Sequence, residues 1–391
     1  MITSTEPQSR ASPSDQAAII CKKVRKVSSA SRESFTSKCG AIHLPCPSQR
    51  RKAQSLRERP FNLDNGIHRE LGGGPPHPDT VLYLAYGSNL CARTFQGDRG
   101  IRPLSQVNVV VPELVMTFDL AGLPYVEPCF ANTKYRHTNP PVSTSEKSHL
   151  LPERTPRYHK DRWKKGLVGV VYEVTKEDYA HIIATEGGGA SYQDVLVDCH
   201  ELPANEDIVP EFPTSQPFKA HTLYSPILPP GEPPEKGGRF SRPDPAYAQA
   251  SVRYLTLITD GADEHALPGE YKDYLHQLRS YTMTTQKQRL GGWIFGMIWL
   301  PLISAVFGLN GIFGDEDGKA PAWLVAVTGA LFRGMWTSYD GFFFKLFGDG
   351  ERTIDEDHDG DEEDDEGAVR YGPSSKYGVV DEKGEGRYEE V

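Results

Sequence analysis

The apolar positions of the chain fall into separate stretches. Val81-Leu82-Tyr83-Leu84-Ala85-Tyr86 is a β-rich run of strand length, preceded by the turn cluster Gly72-Gly73-Gly74-Pro75-Pro76 and stopped by Gly87-Ser88-Asn89. Similar runs predict strands over residues 106–111, 114–120, 167–174, 193–199 and 219–224; the 167–174 run is almost continuously apolar and so expected to be buried on both faces. Two helices are legible. Thr175 followed by Asp178 makes a capping-box-like start, Tyr179, Ile182 and Ile183 form one apolar stripe, and Gly187-Gly188-Gly189 ends the helix. Pro268 suits the first turn of the second helix, in which Tyr271, Tyr274, Leu275 and Leu278 recur at helical spacing. Strands mixed with helices, without regular βαβ alternation, predict an α+β fold. Polar, Pro-rich stretches near 135–165, 203–217 and 226–245 read as surface insertions.

From Gly291 the pattern changes. Residues 291–313 contain no charged side chain over a length that can span a bilayer. A second apolar stretch, 320–346, is interrupted by Arg333, Asp340 and Lys345 and predicts either a poorer span or an interfacial helix. Lys287 and Arg289 precede the first stretch while Asp315, Glu316 and Asp317 follow it, which predicts membrane association with the upstream domain facing the cytoplasm. The alternative is a soluble cytoplasmic protein in which both stretches form a buried helical hairpin. On the membrane reading, a chain ending near Thr285 is expected to be soluble and active.

Composition sets the domain boundaries. Of 391 residues 38% are hydrophobic, low for a chain packed throughout, and 31 prolines and 37 glycines mark extensive loop. The deficit sits in the flanks: residues 1–70 hold 13 Lys and Arg against six acidic residues, and 349–391 hold 17 acidic against five basic. Neither flank has a sustained apolar period, so 1–70 is expected to be a disordered basic tail and 349–391 a disordered acidic one. Between them lie a globular domain, 71–285, and the apolar helices, 286–348. No basic field is left in the centre of this chain of net charge −10 to follow phosphates, which argues against a nucleic-acid-binding core, and no nucleic-acid partner is expected. The six cysteines (Cys21, Cys39, Cys46, Cys91, Cys129, Cys199) show no CxxC spacing, as expected in a reducing compartment.

Two features carry chemistry. Gly87 and Asn89 tolerate left-handed backbone angles, so the turn after the first strand can aim successive N–H groups into one concavity and bind a carboxylate, or it can be an ordinary structural turn. Glu186 stands at i+7 from Tyr179 on the apolar face of its helix. Desolvation there raises a carboxyl pKa toward the range useful for general acid/base work; helix fraying or a buried hydrogen-bond partner is the plainer alternative. Cys91 beside the turn is a conceivable nucleophile, with no histidine near it in sequence. The histidines show no paired metal-ligand spacing.

Tyr86-Gly87-Ser88-Asn89-Leu90 after a hydrophobic strand, then Gly166-Leu167-Val168-Gly169-Val170-Val171-Tyr172-Glu173-Val174, then Glu186-Gly187 followed by Tyr192, resembles the γ-glutamylcyclotransferases. Tyr247-Ala248-Gln249-Ala250-Ser251 and Ala266-Leu267-Pro268-Gly269-Glu270-Tyr271 are similar too, in the same order, so the resemblance covers roughly residues 80–280. It implies a small, mixed, partly closed β-barrel with flanking helices, and an enzyme that cyclises a γ-glutamyl group to 5-oxoproline with release of the attached amine or amino acid, without metal or organic cofactor. By resemblance Glu186 is the catalytic acid/base, Gly87, Ser88, Asn89 and Leu90 hold the substrate through backbone N–H groups, and Tyr86, Tyr192, Tyr224 and Tyr247 lie near the site. Glutathione-specific relatives typically carry Leu at the position of Asn89, which tilts the substrate toward γ-glutamyl amino acids or a broader γ-glutamyl range. The basic tail, the apolar region and the acidic tail lie outside the family pattern. The contrasting reading is a non-catalytic adaptor built on the same domain and anchored by 291–347.

Overall fold

The computed structural model describes residues 44–63, 79–136, 162–185, 192–203, 206–225, 242, 244, 246–313 and 320–354. Among the described residues seven strands are formed: β1 (Thr80–Ala85), β2 (Ser105–Val111), β3 (Leu114–Leu123), β4 (Glu127–Tyr135), β5 (Leu167–Thr175), β6 (Gln193–Glu201) and β7 (Phe218–Tyr224). Five of them close into a barrel in the order β1-β5-β2-β6-β7, while β3 and β4 form a two-stranded antiparallel ribbon beside it. The nearly unbroken apolar run of β5 suits its place between β1 and β2, where Leu167 to Val171 are completely or almost completely buried. Closure comes from a parallel contact of β7 with β1, pairing His221 with Tyr83. The expected α+β barrel is the fold of this chain.

Helix α1 (Gln49–Ser55) lies within the stretch expected to be a tail. It has no apolar stripe, which is why hydrophobic patterning passes it over. Ser48 caps it by accepting from the Arg51 N–H at 3.1 Å, Arg51 binds Glu58 and the Thr80 carbonyl, and Lys52 binds Glu201 at 2.7 Å. Phe61 and Leu63 then enter the barrel core. Residues 1–43, the rest of the expected tail's N-terminal part, lie outside the described residues.

Helix α2 (Lys176–Thr185) starts at the expected cap, with Thr175 Oγ1 accepting from Asp178 N–H at 3.1 Å. Helix α3 (Val252–Glu264) is capped by Ser251, and α4 (Gly269–His276) follows Pro268. Two longer helices complete the fold: α5 (Gln286–Phe313), and α6 (Ala322–Ser338), which runs on through a wider turn into α7 (Phe344–Phe347). Among the described residues one helix, over Gln286–Leu309, is long and apolar enough to cross a bilayer.

The apolar helices have a core of their own, made by Phe295, Ile303, Met335, Trp336, Tyr339 and Phe343 with Tyr125 from the β3–β4 turn. Residues 349–354, placed by composition at the head of an acidic tail, are folded. Asp349 accepts from Tyr247 Oη, Gly350 O accepts from Tyr125 N–H at 2.7 Å, and Glu351 forms a double ion pair with Arg242 together with Asp340. Acidic composition predicted solvation, but Arg242, stacked 4.1 Å above the Trp336 ring, offsets two carboxylates at once.

Candidate active site

Strand β1 ends at Ala85 and the chain enters a single 3₁₀ turn, Ser88–Leu90, closed by Leu90 N–H to Gly87 O at 3.0 Å and Cys91 N–H to Ser88 O at 3.2 Å. Gly87 has φ −108°, and the residues with positive φ among those described are Tyr125, Ala266, Gly100 and Gly348. The expected left-handed nest is therefore not the geometry here. A 3₁₀ start achieves a related end: the N–H groups of Gly87 and Ser88 precede the first intrahelical bonds, with no intramolecular acceptor among the described residues. Gly87 is needed for space, since a Cβ there would lie 3.3 Å from Tyr254 Oη and 3.6 Å from Ala131 Cβ.

The C-terminal end of α3 holds this turn from behind. Gly261 packs so closely that a Cβ would come within 2.5 Å of the Leu90 backbone. Glu264 accepts from Ala92 N–H at 2.7 Å, and His265 Nε2 lies 3.1 Å from Leu90 O and 2.6 Å from Tyr172 Oη. Burial raises the Glu264 carboxyl pKa and lowers that of the His265 imidazole, so the histidine is a neutral partner at pH 7.

In front of the turn is a cleft enclosing about 400 Å³, its open mouth included, lined by Tyr83, Tyr86, Gly87, Ser88, Asn89, Ala131, Tyr192, Thr222, Leu223 and Tyr254. Asn89 Nδ2 donates to Tyr83 Oη at 2.8 Å, Tyr86 Oη donates to Leu223 O at 3.3 Å, and Tyr254 Oη accepts from Ala131 N–H at 3.2 Å. Burial, with Tyr192 and Tyr83 adding to it, pushes the Tyr86 phenol well above its ordinary pKa. The lining thus offers hydroxyl, amide and backbone donors and no charged side chain among the described residues, a surface that can orient a carboxylate and a carbonyl but needs a proton carrier from elsewhere.

Of the residues singled out from sequence, Tyr86, Gly87, Ser88, Asn89 and Tyr192 meet in this cleft. Leu90 is fully buried behind it. Tyr224 packs against Tyr135 with the rings tilted and their centroids 5.8 Å apart, and Tyr247 is turned toward Asp349; neither lines the cleft. Glu186, with Gly187, Gly188 and Gly189, lies outside the described residues. Cys91 is buried, and burial raises its thiol pKa, which disfavours a thiolate. Sequence reasoning passed over Tyr83, Ala131, Thr222, Leu223 and Tyr254. The one available signal was Tyr254 at the third position after a Ser251 cap.

A row of buried charges supports α2 and the barrel wall. Tyr179 Oη donates to Asp194 Oδ1 at 2.5 Å, and Asp194 Oδ2 also accepts from Phe61 N–H at 2.6 Å and meets His221 Nδ1 at 2.8 Å. His221 Nε2 lies 3.1 Å from Glu58, itself bound to Arg51 at 2.7 Å. Burial opposes protonation of His221, but Asp194 and Glu58 outweigh it and bring the imidazole up to about 9. Burial also opposes ionisation of Glu58, and His221 and Arg51 still hold its carboxyl below the usual range.

The apolar region, set outside the family pattern by sequence, is matched over residues 285–346 by the AclK C-terminal domain family. The chain is 30% identical over 274 residues to the γ-glutamyl cyclotransferase gliK of Aspergillus fumigatus, covering 69% of this chain and 89% of that one. It is 29% identical over 283 residues to the γ-glutamyl cyclotransferase aclK of Aspergillus oryzae, covering 71% and 92%. A solved structure described as a γ-glutamyl cyclotransferase aligns at a TM-score of 0.34 and 16% identity, over 53% of this chain and 92% of that one. With a relative of such identity matched over most of its length, the chain belongs to the γ-glutamyl cyclotransferase family.

Proposed function

We propose that the protein cyclises a small γ-glutamyl compound to 5-oxoproline, releasing the amino acid or amine that had been attached. The free α-amine attacks the side-chain amide carbonyl, the bond from that carbon to the leaving nitrogen breaks, and the proton lost by the amine is returned to the leaving nitrogen. Glu186 carries that proton in both directions, a role worth about 10²–10⁴-fold in rate. The turn Gly87-Ser88-Asn89 holds the α-carboxylate through its N–H groups and favours the folded conformer that cyclises. The observation that carries this reading is that the turn and Tyr192 converge on one cleft, while Tyr192 is only six residues beyond Glu186 in the chain. We further read the protein as membrane-associated through its apolar helices, the cleft on the cytoplasmic side.

The test is release of 5-oxoproline from a panel of γ-glutamyl amino acids, γ-glutamylamines and glutathione by the full chain and by Glu186→Gln. Activity that falls by more than about 10²-fold in the variant, with its thermal unfolding unchanged, supports the reading. Full activity in the variant overturns the role of Glu186, and no release from any member of the panel overturns the enzyme.

A further inference from the structure

Helix α5 carries no charged residue from Leu290 to Phe313. Phe295, Ile303 and Val306 are buried along one stripe, the first two packed with α6. Trp293, Met297, Leu300, Leu302, Phe307 and Ile312 are exposed, and at 3.6 residues per turn the exposed positions span roughly 240° of the helix circumference. A second protein lies against one side of a helix, as α6 already does. Hydrocarbon is the surrounding that fits apolar side chains on the rest.

The two ends of the helical pair are tied together. Gln288 Nε2 donates to Asp349 O at 2.8 Å, Tyr281 Oη donates to the same oxygen at 3.3 Å, and Thr284 Oγ1 donates to Ile354 O at 3.1 Å. The chain therefore leaves the pair beside the place where it enters, against the wall of the barrel domain. The outgoing limb, Gln286–Leu309, has a helical length of about 36 Å, beyond the ~30 Å hydrocarbon core, whereas in the return limb α6 by itself, Ala322–Ser338, has about 26 Å and reaches that depth only with the wider turn and α7 that continue it to Phe347. Between the limbs the sequence Asp315-Glu316-Asp317-Gly318-Lys319 brings four charges. They call for water at the far end, whereas the return limb submerges only Arg333, because Asp340 is held by Arg242 at 2.7 Å and Lys345 lies in the last turn.

We propose that residues 286–347 form a two-pass hairpin in a lipid bilayer, so that the acidic segment 355–391 emerges on the same side as the catalytic cleft. This rests on the membrane association proposed above. The full chain, with an epitope tag after Val391, is expressed and recovered in sealed, cytoplasm-side-out membrane vesicles. Protease added outside is expected to remove both the tag and the barrel domain, leaving a carbonate-resistant fragment of the hairpin. A cysteine placed by Glu316→Cys is expected to react with a membrane-impermeant maleimide only after the vesicles are opened. A protected tag, reaction of Cys at that position from outside, or a full chain recovered in the carbonate supernatant as a monomer or dimer overturns the proposal. Release of 5-oxoproline by the same vesicles is scored separately: its absence strikes at the cyclotransferase reading and leaves the topology standing, and a protected tag does the reverse.

Discussion

Substituting His221 tests whether the charged row beneath the barrel wall sustains the fold. The imidazole is completely buried between Asp194 at 2.8 Å and Glu58 at 3.1 Å, with a pKa of about 9 in place of 6.5. Because the folded value is the higher one, the protonated ring contributes stability that is fully present below about pH 6.5 and is lost as pH rises through about 9. At 1.36 kcal/mol per unit, a rise of that size corresponds to about 3 kcal/mol, to order of magnitude. Urea unfolding between pH 6 and 9.5 should therefore show the wild type losing stability across this window and His221→Gln showing little of that slope. At the acidic end of the window the variant should be about 3–5 kcal/mol less stable, since Asp194 is left buried without a cation and Glu58 keeps only Arg51. Glu58→Gln keeps the ring and removes one of its anions, so it should move the loss to lower pH. A slope in His221→Gln equal to that of the wild type would falsify the assignment of this charge. Cyclisation should decline along with stability, because Tyr179, bound to Asp194, fixes the helix that runs up to Glu186.

Other substitutions probe the cleft and the strap. Gly261→Ala should push the Leu90 turn forward, costing about 1–3 kcal/mol in thermal unfolding and raising KM more than it lowers kcat; unchanged kinetics would separate α3 from the substrate turn. Gly87→Ala should raise KM by crowding Tyr254 Oη, and adding Tyr254→Phe should restore part of the loss, a recovery that backbone strain would not allow. Arg242→Ala should destabilise the full chain by about 3 kcal/mol in denaturant unfolding, because Asp340 and Glu351 lose their common partner. In the wild type burial already raises Glu351 to about 7 despite Arg242, so the variant should titrate Glu351 higher still, measurable by carboxyl NMR shifts.

What could be read in the sequence was what local pattern determines. Six strands and two helices follow from apolar runs and caps, and the turn after β1 is plain from Gly87-Ser88-Asn89. Strand β4 escaped because Glu127-Pro128 and Asn132-Thr133-Lys134 give it a polar composition, although Asn132 and Thr133 are buried by packing against the barrel side. In α3 the apolar positions Tyr254, Leu255, Ile258 and Ala262 keep helical spacing, but Val252, Thr256, Ile258 and Thr259 are β-branched and blur it toward strand. The cleft draws Thr222 and Leu223 from β7 and Tyr83 from β1, strands brought together only by barrel closure, a contact between residues about 140 apart that no local window contains.

The β3–β4 ribbon joins the cleft to the apolar helices. Ala131, midway along β4, lines the cleft and donates its N–H to Tyr254, while Tyr125 at the turn packs on Phe295 and Tyr339 and donates its N–H to Gly350 O and its hydroxyl to Gly348 O. Between them Glu127 binds Ser251 and Arg253 at the start of α3, the helix that backs the Ser88–Leu90 turn. A chain cut near Thr285 would therefore lose more than an anchor: Tyr125 would lose its packing partners, Tyr247 its Asp349, and Gln249 the 2.8 Å bond from its N–H to Glu351 O. A start at residue 71 would remove Arg51 and Glu58 in addition and leave His221 with Asp194 alone in a site built for two ion pairs. Among the described residues the folded unit that holds the cleft takes in α1, whose approach at Pro45 accepts from Gln106 N–H at 2.9 Å, and the strap to Ile354, so the boundaries that composition draws, at 70 and 348, are boundaries of charge density.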